Sequence, residues 1–147
     1  MASNVNPIGP LAEFSVRPQF QLSLPATDLA LLRGFYVDVL GSRIVHDSAE
    51  ELELSFFGGI LIAYQVDTLP NSTSSAFGGR QVPLPNFGLV MGWEDWHRAV
   101  DHLNYVGVIY RVPPTMVTAP DASQSALFVI ADPSGNCLSF RAHKQKE

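Results

Sequence analysis

Twice along the chain, alternating apolar and polar positions give way to apolar positions that recur every three or four residues. In FQLSLPATDLALLRGFYVDVLG, Phe20, Leu22 and Leu24 alternate with Gln21 and Ser23, the period of a half-buried strand. Thr27 or Asp28 supplies a helix cap. Leu29, Leu32, Tyr36, Val39 and Leu40 then form one apolar stripe, and Gly41 ends the helix. NFGLVMGWEDWHRAVDHLNYVG repeats the plan. Phe87, Leu89 and Met91 alternate with Asn86, Gly88 and Val90, and a helical stripe follows at Trp93, Trp96, Val100 and Leu103. Glu94 and Arg98 are spaced for an i,i+4 ion pair, and Gly107 is the stop.

The spacing marks these as copies. Gln21 and Asn86 lie 65 residues apart, and Gly41 and Gly107 lie 66 apart. Three strand-like runs follow each helix: SRIVHD, ELELSFF and GILIAYQV in the first half, VIYRVPP, SALFVIA and NCLSFRAH in the second. The pattern predicts an α+β fold of two tandem βαβββ modules, with a curled mixed sheet around a central cavity. Module one spans about 17–67 and module two about 85–143. Between them TLPNSTSSAFGGRQVPLP, rich in Gly, Pro and Ser, reads as a loop linker over about 68–84. Residues 1–16 read as a mobile arm.

In the last strand Cys137, Ser139, Arg141 and His143 share one face and Leu138, Phe140 and Ala142 the other, after an Asp132-Pro133-Ser134-Gly135 turn. Alternation places Gln21, Asn86 and Ser139 toward the cavity, or on the wet side of a half-exposed sheet.

Composition narrows the function classes. The 147 residues are 46% hydrophobic and 16% charged, enough for one domain with a sizeable core. Net charge is −5 with no long basic run, which argues against a nucleic-acid face. No apolar run approaches the roughly 20 residues of a bilayer span. The start has neither a basic nor an apolar signal region, and one cysteine, Cys137, excludes an internal disulfide. A cytoplasmic protein is the expectation.

LPATDLALLRGFYVDVLG, PNFGLVM with WEDWHRAVDHLNYVGV, and FVIADPSGNCLSFRA together resemble the vicinal oxygen chelate superfamily, which includes glyoxalase I, bleomycin-resistance proteins and extradiol dioxygenases. The resemblance covers residues 18 to 143 and implies the same two-module fold. In metal-bearing members His, Glu or Gln ligands stand on the first and last strands of the modules. The matching positions here hold Gln21, Asn86 and Ser139, with a fourth near Ile62. An amide pair and a hydroxyl supply no negative charge to a divalent ion. The expectation is therefore no metal and no cofactor.

Other side chains offer chemistry. His46 opens a strand beside Asp47 and has the titration range of a general base. Arg141 can anchor a carboxylate or phenolate. Tyr64 and Cys137 have the parity to touch a ligand, although a buried inert thiol is commoner than a nucleophile. His97 and His102, five apart on a helix, do not form a metal pair. The candidate site is thus His46 and Arg141 as catalytic groups, with Gln21, Tyr64, Asn86, Cys137 and Ser139 as ligand contacts. Three functions follow: a metal-independent isomerase, cyclase or lyase acting on a carbonyl or phenolic substrate; a small-molecule sequestering protein; and a metalloenzyme drawing ligands from positions such as His46 or Glu53. Pairing of module edges between chains would give a homodimer.

Overall fold

A computed structural model describes residues 18–69, 73–77 and 80–145. Module one runs β1 (Gln21–Ala26), a helix, β2 (Arg43–Asp47), β3 (Glu51–Phe56) and β4 (Gly59–Gln65). Module two runs β7 (Phe87–Met91), α2 (Trp93–Val106), β8 (Tyr110–Thr118), β9 (Gln124–Ala131) and β10 (Cys137–Lys144). The sheets have matching strand orders, β1-β4-β3-β2 and β7-β10-β9-β8. In each, the first strand lies parallel to the last and the other pairs are antiparallel. The α+β class and the two βαβββ modules are those the repeat predicts. The arm at 1–16 lies outside the described residues.

The first helix begins as α1 (Leu29–Arg33) and widens into a π-helical stretch over Gly34–Val39. Asp28 caps it by accepting a hydrogen bond from the Leu31 amide at 3.0 Å. Gly41 and Gly107 adopt φ of +78° and +84°, the left-handed conformation expected of helix stops. Leu29, Leu32 and Tyr36 are buried, as are Trp96 and Leu103 of α2. Arg98 pairs with Asp95 at 3.6 Å rather than with Glu94, an exposed pair of little energetic weight.

One core cluster runs through both modules. It holds Leu24, Leu32, Tyr36 and Leu54 from the first, with Trp96, Phe128, Leu138 and Phe140 from the second. Phe20 departs from its predicted inward position and is 74% exposed, because β1 begins only at Gln21.

The linker departs further from expectation. Thr73–Phe77 and Arg80–Leu84 pair antiparallel as β5 and β6. Polar and proline-rich sequence hid a hairpin; among its described side chains Val82 is fully buried.

Candidate functional site

Strand register sorts the side chains that face away from the helices. In module one, His46 lies opposite Glu53, Glu53 opposite Ile62, and Ile62 opposite Ser23. Arg43, Ser55, Ile60 and Gln21 form the next row. In module two the rows are Val112, Val129, Ser139 and Gly88, then Thr115, Leu127, Arg141 and Val90. The parity expected for Ser139 and Arg141 therefore holds: Leu138, Phe140 and Ala142 enter the helix-side core, and the alternate residues face the other way. At Gly88 only glycine fits, since a Cβ would overlap the carbonyl of Ser139.

That second face is not open in module two. Val82 of β6 packs with Val112, Val129 and Cys137, flanked by Leu127 and Ala131. Arg80 Nη1 reaches the Arg111 carbonyl at 3.5 Å, tying the hairpin to β8. Cys137 is thereby 1% exposed, and burial pushes its thiol up from the ordinary range. A thiol held protonated under a valine is a packing residue, and it departs from the sequence expectation of a ligand contact. Ser139, its neighbour on that face, is half-buried.

Two cavities flank the covered region. One, of about 500 Å³, lies at the far end of the module-two sheet; Val90, Val117, Leu127 and Ala142 form its apolar wall, and Arg141 and His143 its basic groups. Thr115 and Ser125 add hydroxyls. Arg141 is exposed and makes no hydrogen bond or ion pair among the described residues. The other cavity, of about 360 Å³, lies where β1, the segment before β7 and the β9–β10 turn converge; Ser23, Pro25, Pro83, Pro85, Asn86 and Phe87 are among its lining.

The predicted site residues therefore do not share one cavity. Arg141 lines the first and Asn86 the second, while Gln21 and Ser139 line neither. His46 and Tyr64 are exposed on the module-one sheet, Tyr64 opposite Glu51 and Pro25. His46 and Arg141 stand on different sheets.

Two groups whose protonation burial perturbs sit elsewhere, at the module junction. Tyr36 Oη donates to Asp132 Oδ2 at 2.8 Å. Asp132 also accepts from the Ser134 and Asn136 amides and from Asn136 Nδ2, each at 2.9 Å. Asn136 Nδ2 donates to the Pro25 carbonyl at 3.0 Å, and the Thr27 amide donates to Ser134 Oγ at 3.1 Å. Burial, reinforced by the neighbouring carboxylate, pushes the Tyr36 hydroxyl far above its usual range. Burial also raises Asp132, against the pull of its donors. Both are internal groups that join β1 and the first helix to the β9–β10 turn.

The whole arrangement recurs in solved structures. A glyoxalase/bleomycin resistance protein/dioxygenase from Alicyclobacillus acidocaldarius superposes with a TM-score of 0.71 at 22% identity, covering 86% of this chain and 91% of that one. The chain has the glyoxalase-like fold. A lactoylglutathione lyase from Agrobacterium tumefaciens matches with a TM-score of 0.58 at 15% identity, over 88% of this chain and 96% of its own. A Nocardioides glyoxalase/bleomycin resistance protein/dioxygenase matches at 0.58 and 17%, over 92% and 90%. No protein-family model and no curated protein matches the sequence.

Within the glyoxalase-like fold, the ligand positions implied by the resemblance do not fit a divalent ion. Gln21, Asn86 and Ser139 are neutral, Ile62 is apolar, and among the described residues no three His, Cys, Asp or Glu side chains cluster. His46 and Glu53 are cross-strand neighbours, but two donors fall short of a closed coordination sphere. Among the described residues no helix is long and apolar enough to cross a membrane.

Proposed function

We propose that this glyoxalase-like protein binds a small organic anion with an apolar body, without a metal, in the cavity of Arg141. The carrying observation is an uncommitted guanidinium at the edge of a cavity of about 500 Å³ whose walls are otherwise mostly apolar, within the size range of small-molecule sites. The planar fork of arginine matches a carboxylate or phenolate. Val90, Val117 and Leu127 would cover the apolar body, and Thr115 or Ser125 would take a further oxygen.

Sequestration is better supported than turnover. Acid–base catalysis calls for a titrating group within hydrogen-bond reach of the reacting atom. In the cavity His143 Nε2 is already engaged with Gln145 Nε2 at 3.1 Å, and the buried pair Tyr36 and Asp132 is consumed in internal hydrogen bonds. The pairing of His46 with Arg141 as catalytic groups is not supported, since the two stand on different sheets.

The test is titration calorimetry with 2-naphthoate, alongside mass spectrometry of whatever anion copurifies. Arg141→Ala should weaken naphthoate binding about ten-fold, equivalent to about 1.4 kcal/mol for one charge-assisted bond. The thermal midpoint should stay nearly constant, since the side chain is exposed. Unchanged affinity in the folded variant would remove Arg141 from the site. Chemical conversion of the copurified anion by the protein would overturn the sequestering reading.

A further inference from the structure

We infer that the module-junction cavity is a second, separate binding site, selective for a small neutral aromatic molecule bearing one hydrogen-bonding group. Its volume of about 360 Å³ suits a one- or two-ring compound, and among the described residues no charged side chain lines it. An ion brought there would lose hydration without gaining a counter-charge, a large penalty. Neutral ligands avoid it.

The wall chemistry favours a flat ring. Pro25, Pro83 and Pro85 bring three proline rings to the cavity, with Leu22, Leu24 and Phe87 beside them. The C–H bonds next to a proline nitrogen carry partial positive charge, and the face of an aromatic ring is its negative region. Phe87 adds a surface for edge-to-face contact, as it already makes with Phe56 at 5.7 Å.

The polar groups divide into spent and available. Ser134 Oγ accepts from the Thr27 amide, and Asn136 Nδ2 is held by Pro25 and Asp132. Ser23 makes no side-chain hydrogen bond among the described residues, and Asn86 makes one long contact, Nδ2 to the Pro83 carbonyl at 3.4 Å. A hydroxyl and an amide at an apolar cavity are a hydrogen-bonding pair for one ligand group. The bonds that spend Ser134 and Asn136 also fix β1 against the turn, so two walls are held in place before a ligand arrives.

The probe is 2-naphthol, uncharged near neutral pH, titrated into the full chain with backbone amide NMR and calorimetry. Saturable binding is expected, with shifts concentrated at Ser23, Asn86 and Ser134 to Asn136. Ser23→Trp, which fills the cavity from an exposed position, should weaken binding at least ten-fold. Asn86→Ala should weaken it about three-fold, and it reads the same site if the tryptophan variant does not fold. 2-Naphthoate, the same rings with a carboxylate, should leave these amides unmoved. Absence of saturable naphthol binding, shifts centred on Val90 and Arg141, or full affinity in both variants would overturn the inference. Because naphthol carries no charge, failure of the Arg141 reading would not produce any of these results.

Discussion

Asp132 collects four donated hydrogen bonds while only 4% exposed. Its burial outweighs those donors, so its native pKa lies above the ordinary value near 3.9. The native state therefore holds the proton more tightly than the unfolded chain. The stabilising contribution of this group is fully present below the unfolded value and is lost as pH rises through the native one. Denaturant melts of the wild type and Asp132→Asn between pH 4 and 7 measure this. The stability of the wild type relative to the variant should fall as pH rises, because the variant removes the titration and leaves a pH-independent offset. A relative stability that climbs with pH would mean that the four donors win and that the native carboxyl is the stronger acid. From sequence, DPSGN was legible as a turn, by the preferences of Asp, Pro and Gly. Its partner Tyr36, 96 residues away, was legible only as one residue of an apolar stripe, since periodicity reports burial and says nothing of where a hydroxyl points.

The hairpin β5–β6 is the element that sequence reading missed, and it changes the site most. Helices and module strands repeat an apolar period; Arg80–Leu84 shows none, with Val82 buried and Pro83 and Leu84 half-buried. A two-strand hairpin has marginal stability by itself, so its position rests heavily on burying this valine against Val112, Val129 and Cys137. Full burial of a valine contributes about 1.5–3 kcal/mol. Val82→Asp would place a carboxylate in that apolar contact and should detach the hairpin while the helix-side core, which Val82 does not join, stays folded. Cys137 reports the event. Its alkylation by iodoacetamide should accelerate about ten-fold or more in the variant, with far-ultraviolet circular dichroism nearly unchanged. A thiol as slow as the wild type's in a folded variant would show that other contacts cover it. Ser139 follows from the same geometry: its inward parity was readable from alternation, but the cover lying over its neighbours was not.

At the scale of the whole molecule, two sheets of the same strand order could fold as two units or as one. The repeat predicts modules of equal rank, and the interior decides between the alternatives. The core cluster is continuous from Leu32 and Tyr36 through Phe56 and Phe87 to Phe128 and Phe140. Four side-chain bonds cross the junction beside it: Tyr36 to Asp132, Thr27 to Ser134, Asn136 to Pro25, and His102 Nε2 to the Val39 carbonyl at 3.0 Å. Separating the modules would expose large aromatic surface and leave buried polar atoms unpaired, each at about 1–3 kcal/mol. A module alone would be marginal, because a chain of about 60 residues buries only about 60% of its surface on folding, against about 70% for one of about 150. One cooperative transition is therefore expected. Calorimetric and van't Hoff enthalpies of the full chain should agree, and tyrosine and tryptophan signals should melt together, although the two tryptophans lie in module two alone. Tyr36→Phe should lower the single midpoint without splitting it, since the bond it removes sits on the shared boundary. Two resolved transitions, or tryptophan fluorescence that unfolds apart from the total heat, would show that the modules are independent and that the junction cavity is a gap between domains.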